Sequence, residues 1–314
     1  HLGVNQIESI SALEGMIGLV SLFLQENCIG EISSLGLMSK LTTLNIGNNE
    51  ISNISSLSDM IHLTTLSINN NNVSDISSLV DLVSLTNLQL QKNNVSDISS
   101  LVNMSQLKYL DLGDNNISDI NNYLSNMVNL STLRLYNNNI YNISPLYVME
   151  EMLTLQLQGN NISDISSLSS MTKLTYLHLA NNEVDSIDSL TELEDLQYLY
   201  LHGNNISDIS ALSGKTTLIK LYLNINDISD ISPLANANNL TSLDLGDNNI
   251  SDISYLSRMV NLSTLGLYNN SISDVSPLSV MEEMLTLQLY GNDISDISAL
   301  SSMNALTELN LSNN

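Results

Sequence analysis

The sequence predicts an α/β solenoid that carries a parallel β-sheet on its concave face and short 3-10 turns or loops on its convex face. Three observations predict this fold: a period of 22 residues along the whole chain, leucines that alternate with other residues in the first half of each repeat, and an asparagine at the same position of every repeat. A fixed period of this length is typical of stacked arrays. We therefore expect a single solenoid over residues 1–314, with about 14 repeats.

Each repeat follows the pattern L-x-x-L-x-L-x-x-N, and successive copies begin 22 residues apart except at one interval of 23 residues. Strand side chains alternate between the two faces of a sheet. Leucines at the fourth and sixth positions should therefore point inward, while the third, fifth and seventh positions line an exposed parallel sheet. The second half of the repeat, such as ISDISSL at 162–168, is too short for a long helix and favours 3-10 turns.

The asparagine at the ninth position predicts a buried file of amides. Each amide must donate to and accept from the backbone of neighbouring turns, because an unpaired buried polar group costs about 1–3 kcal/mol. The asparagines at this position are Asn27, Asn49, Asn71, Asn93, Asn115, Asn138, Asn160, Asn182, Asn204, Asn226, Asn248, Asn270, Asn292 and Asn314.

The pattern L-x-x-L-x-L-x-x-N-x-I resembles the leucine-rich repeat. The stretch ISDISPLANANNLTSLDLGDNN at 228–249 is similar to the 22-residue internalin-type class of bacterial surface proteins. The resemblance covers essentially the whole chain and implies the solenoid fold. It also implies a protein-binding role, although this scaffold serves many unrelated partners.

Composition narrows the classes of partner. The formal net charge is −25, which argues against nucleic acid and against anionic membranes as the main partner. The only cysteine is Cys28, so an internal disulfide is excluded. No apolar stretch approaches the roughly 18–20 residues that a membrane span needs, and we expect no direct membrane insertion.

Aromatic residues on the exposed sheet positions predict the partner-binding site. Tyrosine is an amphipathic side chain that suits binding hot spots. Three consecutive repeats concentrate Tyr176, His178, Tyr198, Tyr200, His202, Lys220 and Tyr222. The remaining candidates are Tyr109, Tyr136, Tyr268 and Tyr290. The alternative interpretation is that tyrosine simply favours strands.

Other polar residues are predicted to have structural roles. Strand geometry places His178 and His202 about 8 Å apart, too far to share a metal without a third ligand. Nine aspartates recur at the same position in the second half of the repeat, the segment that returns the chain to the next strand, where we expect them to cap turns. Lys215 occupies a position that holds methionine in most repeats, and we expect its ammonium to reach out to solvent. We expect no catalytic residues, no metal and no cofactor.

Three functions remain open. The resemblance favours a secreted or cell-surface adhesion protein that binds a protein or glycan ligand on its concave face. The second is an intracellular, cytoplasmic scaffold similar to the phosphatase-binding leucine-rich proteins of eukaryotes. The third is a structural protein that self-associates through uncapped ends. We expect the chain to be truncated at both ends, because neither end carries a polar capping unit.

Overall fold

The computed structural model describes His1–Asn314, and these residues form two compact units, His1–Asn161 and Ile162–Asn314. Within each unit, strands and 3-10 turns alternate along the chain. The organisation as one continuous solenoid over 1–314 stays a prediction.

The first unit contains seven short strands and seven 3-10 turns. The strands are β1 (Ser21–Phe23), β2 (Thr43–Asn45), β3 (Thr65–Ser67), β4 (Asn87–Gln89), β5 (Tyr109–Asp111), β6 (Thr132–Arg134) and β7 (Thr154–Gln156). The turns are Ser11–Leu13, Ser33–Leu35, Ser55–Leu57, Ser77–Leu79, Ser99–Leu101, Asn121–Leu124 and Ser144–Val148.

The second unit repeats this composition. Its strands are β8 (Tyr176–His178), β9 (Tyr198–Tyr200), β10 (Lys220–Tyr222), β11 (Ser242–Asp244), β12 (Thr264–Gly266), β13 (Thr286–Gln288) and β14 (Glu308–Asn310). Its turns are Ser166–Ser170, Asp188–Leu190, Ser210–Leu212, Ser232–Leu234, Ser254–Arg258, Ser276–Val280 and Ser298–Ser302.

Neighbouring strands within each unit pair in parallel and in chain order, with equivalent repeat positions side by side. In the second unit, Leu221 is the register partner of Leu199 on one side and of Leu243 on the other. These leucines are fully buried, while the residues that flank them on the strand stay partly exposed, except for Ser242, which is buried. The predicted fold class, a leucine-rich-repeat solenoid with a parallel sheet and 3-10 turns, is confirmed.

The predicted row of buried asparagines at the ninth repeat position is present, and we call it the asparagine ladder. Asn248 shows the pattern: its Nδ2 donates to the carbonyls of Leu223, Leu245 and Gly246 at 3.0–3.1 Å, and its Oδ1 accepts the N–H of Ile228 at 2.9 Å. Two of these partners belong to the preceding repeat. Each such amide therefore ties adjacent repeats together and satisfies backbone groups that burial would otherwise leave unpaired.

The recurring aspartates cap the 3-10 turns, as predicted. In each case Oδ1 accepts the backbone N–H of the residue two positions later, such as Ser210 for Asp208 at 2.8 Å. This hydrogen bond lowers the carboxyl pKa at Asp75, Asp164 and Asp252. The nine aspartates are Asp75, Asp97, Asp119, Asp164, Asp208, Asp230, Asp252, Asp274 and Asp296.

The expectation for Lys215 is wrong. Its side chain is buried, with only 4% of its surface exposed, and Nζ donates to the carbonyl of Thr191 at 2.6 Å. Burial lowers the pKa of Lys215, against the opposing effect of Glu194 and Glu192. The ammonium stops below the surface because a backbone acceptor of the preceding repeat lies within its reach.

Removal of one ladder amide should destabilise the protein strongly. We expect Asn248→Ala to lower the free energy of unfolding by about 3 kcal/mol or more, because several buried backbone groups lose their partner. The exposed neighbour provides the control: Asn249→Ala should change it by no more than about 0.5 kcal/mol. Denaturant unfolding followed by circular dichroism measures both variants. Equal effects would contradict a special role for the ladder position.

Replacement of the buried lysine should stabilise the protein. We expect Lys215→Met to raise the free energy of unfolding by about 1–2 kcal/mol at pH 7, since methionine fills the equivalent buried position at Met259. The pKa of Lys215 is lower in the folded state than in the unfolded state. The difference in free energy of unfolding between Lys215→Met and the wild type should therefore shrink as the pH rises toward about 10.4, the usual pKa of lysine. Thermal unfolding at pH 7 and pH 10 measures this, with exposed Lys40→Met as the control. A lower unfolding temperature for Lys215→Met would contradict the prediction.

Candidate functional site

Seven of the predicted site residues lie together on the sheet face of the second unit. We call this set the aromatic patch: Tyr176, His178, Tyr198, Tyr200, His202, Lys220 and Tyr222. Strands β8, β9 and β10 position six of them, because each central leucine is fully buried and turns its two strand neighbours outward. His202 lies two residues after the end of β9, beyond the buried Leu201. All seven side chains are partly exposed.

The rings of the aromatic patch form one continuous contact network. Tyr200 is its centre: its ring stacks on His178 at a centroid distance of 4.8 Å and on Tyr222 at 5.1 Å. Tyr176 lies 5.5 Å from Tyr200 and 6.0 Å from Tyr198. Stacked and tilted rings at these distances support one another, so the patch presents a pre-ordered apolar surface with hydroxyl groups.

The two histidines of the patch are closer than strand geometry alone predicts. Their ring centroids are 5.8 Å apart, because side chains at the fifth and seventh positions lean toward each other. Nδ1 of His178 accepts the N–H of Ala180 at 3.4 Å. Burial, helped by the proximity of His202, lowers the pKa of His178 to about 4, and burial also lowers the pKa of His202. The ring of His178 is therefore neutral at pH 7. No group of three or more potential ligands that could hold a metal ion is found.

The edge of the patch is polar. Lys220 is the register partner of Tyr198 and supplies a positive charge beside the rings. The hydroxyl of Tyr222 lies 3.0 Å from the hydroxyl of Ser242 on β11. The aromatic patch thus combines apolar ring faces with hydroxyl groups and one cation, which is the mixture that protein-binding sites use.

The other four predicted tyrosines lie outside the patch. In the second unit Tyr268 and Tyr290 stack on each other at 4.9 Å. In the first unit Tyr109 and Tyr136 line the sheet face and make intramolecular contacts that are described below. Their burial raises the pKa of Tyr136 to about 12 and also raises the pKa of Tyr109.

Sequence reasoning missed three charged residues on the sheet faces of the two units. Asp111 and Arg134 occupy the fifth position of adjacent repeats and form an ion pair with 3.4 Å between Oδ2 and Nη1. Asp244 occupies the fifth position in the second unit. Opposite charges at one position of consecutive repeats were a readable signal, because parallel in-register strands place them side by side.

Comparison by sequence identifies the repeat. The family description "Leucine Rich repeats (2 copies)" matches residues 39–81, 151–193, 194–236 and 238–280, and a further leucine-rich repeat matches residues 104–120. These segments together span more than half of the chain. No protein of curated function matches the chain in sequence.

Comparison by structure finds bacterial and plant proteins. An internalin (InlF) of Listeria monocytogenes is 35% identical with a TM-score of 0.88, and the match covers 94% of this chain and 86% of that chain. Internalin C2 of the same species is 31% identical with a TM-score of 0.58, over 60% of this chain and 83% of that chain.

A plant receptor shares the fold alone. The ectodomain of the receptor kinase GASSHO1/SCHENGEN3 of Arabidopsis thaliana, solved in complex with Casparian strip integrity factor 2, is 23% identical with a TM-score of 0.77. The match covers 99% of this chain and 46% of that chain. In the present protein, no helix has both the length and the apolar character that crossing a membrane requires.

The depressed pKa of His178 should make stability depend on pH. The unfolded state binds the proton with a pKa of about 6.5 and the folded state with a pKa of about 4, so stability should fall as the pH drops between these values. His178→Gln places a residue found at the same repeat position in Gln156 and should remove this component. Unfolding curves from pH 7 to pH 4, with an NMR titration of the ring, measure the effect. Parallel curves for the two proteins would contradict it.

Proposed function

Because the chain belongs to the leucine-rich repeat family and is internalin-like, we propose that it is a protein-binding scaffold whose sheet face recognises a partner protein through the aromatic patch. One observation carries this proposal: six aromatic rings from three adjacent strands contact one another on an exposed face. Proteins of this family are typically interaction scaffolds rather than enzymes.

The arrangement of the rings supports a binding role over simple strand filling. Stacked rings lose little conformational freedom when a partner covers them, so less of the contact energy is spent on ordering side chains. Tyrosine and its hydroxyl also tolerate exposure before binding and burial after it. The polar edge at Lys220 and the hydroxyl of Tyr222 borders the rings on β10, as expected for part of a polar rim beside a hot spot.

We further propose that the protein acts outside the cell or at the cell surface as an adhesion protein. The similarity to internalins supports this location, and the acidic charge of the chain favours a basic or neutral partner over an anionic membrane. A glycan ligand, an intracellular partner and self-association are alternative outcomes of the experiment below.

Three substitutions test the aromatic patch without removing strand propensity. Tyr198→Thr, Tyr200→Gln and Tyr222→Gln use residues that already occupy the same repeat positions at Thr132 and Gln156. We expect the triple variant to bind its partner at least about thirtyfold more weakly, since hot-spot residues each contribute about 2 kcal/mol or more. The partner is captured from cell-surface and cytosolic extracts and then measured in purified form by calorimetry.

The matched control removes three exposed tyrosines from outside the sheet face. Tyr141, Tyr147 and Tyr255 are 65%, 62% and 37% exposed, and none of them lies on a strand. Their triple alanine variant should bind like the wild type. Equal binding by the patch variant, with circular dichroism and unfolding temperature unchanged, would overturn the proposal. Self-association of the wild type in sedimentation experiments without any partner would favour a structural protein.

A further inference from the structure

The first unit contains a closed pair of opposite charges on its sheet face. Oδ1 of Asp111 accepts the N–H of Gly113 at 3.1 Å, and Oδ2 faces Nη1 of Arg134 at 3.4 Å. The guanidinium lies 5.4 Å from the ring centroid of Tyr109, and the ring of Tyr136 covers Gly113, where a Cβ atom would come within 2.2 Å of it. Asp111 is consequently only 1% exposed.

The second unit builds a similar scaffold around Asp244, with Ser242 at the position that Tyr109 occupies in the first unit. Oδ1 of Asp244 accepts the N–H of Gly246 at 3.0 Å, and the ring of Tyr268 covers Gly246, again 2.2 Å from where a Cβ atom would lie. The sequences of the two copies show the origin of the likeness: STLRLYNN at 131–138 returns as STLGLYNN at 263–270. The single difference between these two segments replaces the arginine of the first unit with Gly266.

This difference leaves Asp244 without a cation. Its register partner on β12 is Gly266, and no lysine or arginine lies within ion-pair distance of its carboxylate. The side chain is partly exposed, in contrast to Asp111. The fold therefore presents an acceptor whose cationic partner is supplied internally in one copy and is missing in the other.

The groups that face Asp244 provide no substitute for that cation. The hydroxyl of Tyr268 donates to Oδ2 over a long 3.5 Å, and burial lowers the pKa of His202 against the opposing effect of Asp244. Asp247 adds a second negative charge nearby, and partial burial raises the pKa of Asp244. A half-buried carboxylate without a cation gains stability when a positive group approaches it.

We propose that Asp244 receives an arginine side chain of the protein partner, in the place that Arg134 occupies in the first unit. This inference rests on the proposed function and specifies its chemistry. A planar guanidinium can donate to Oδ2 of Asp244, which otherwise accepts only the long hydrogen bond from Tyr268, as Arg134 donates to Oδ2 of Asp111.

The position of Asp244 joins the proposed arginine site to the aromatic patch. Tyr222, a member of the patch, is the register partner of Asp244 on the neighbouring strand. One partner surface could therefore cover the stacked rings and place a basic side chain beside them. The net charge of −25 makes a basic partner segment the electrostatically favoured occupant.

A small probe tests this site without the natural partner. The intact chain, with 13C-labelled aspartate carboxylates, is titrated by NMR with N-acetyl-arginine methylamide and with its neutral analogue N-acetyl-citrulline methylamide. We expect a saturable shift of the Asp244 signal with the arginine probe, and binding at least about fivefold weaker for citrulline, because only the arginine probe adds the attraction between opposite charges to its hydrogen bonds. The isosteric variant Asp244→Asn identifies the signal and should lose the same binding.

The internal copy supplies reciprocal variants. Gly266→Arg should form the internal pair once the Asp244 carboxylate moves away from the new Cβ atom, which would lie 2.5 Å from Oδ1, and should reduce probe binding at Asp244 by about fivefold or more. Arg134→Gly should open Asp111 as a new site. Equal affinity for the two probes, or unchanged binding in both Asp244→Asn and Gly266→Arg, would overturn the inference. Equal binding of N-acetyl-lysine methylamide would overturn the choice of arginine. The tyrosine variants are scored separately with the captured partner, so the two proposals can fail independently.

Discussion

The asparagine ladder is the interaction on which the rest of the structure depends. Each amide donates to carbonyls of its own repeat and of the preceding one, and it accepts an N–H from the preceding return segment. A repeat of this size has no long helix to satisfy its buried backbone, so a side chain must do so. The ladder thereby fixes how each repeat stacks on the preceding one, and it is kept across the one repeat that is a residue longer.

Fixed register makes the sheet face a regular grid on which function can vary. The leucines and asparagines are committed to the core, whereas the third, fifth and seventh positions face outward and need only tolerate a strand. Neighbouring grid points are one strand apart, so residues such as Tyr200 and Tyr222 stack although 22 positions separate them in sequence. A surface of this kind can change its chemistry by substitution without altering the fold.

Proximity on this grid also changes the chemistry of individual groups. His178 is kept neutral because its burial beside the rings of Tyr200 and His202 removes water from it, and Asp111 stays buried because Arg134 and Tyr109 lie against it. The same desolvation acts on Asp244 with no arginine beside it. Close packing on the sheet face therefore pairs Asp111 with an internal cation and leaves Asp244 able to accept one from a partner.

The sequence by itself determined the repeat, the inward leucines, the asparagine ladder and the aspartate caps. All of these follow from local spacing, because an N–H two residues away or a strand one repeat away has a fixed position once the period is known. It also located the aromatic patch, since three consecutive repeats carry rings at outward positions.

Only the tertiary structure decided how side chains lean and which of them meet. It brought the rings of His178 and His202 to 5.8 Å, buried the ammonium of Lys215 against a carbonyl, and closed Arg134 over Asp111. Register fixes the backbone atoms from which long side chains start, but several rotamers reach different neighbours from the same start. The choice among them depends on packing and on partners in adjacent repeats, which the pattern of a single repeat does not contain.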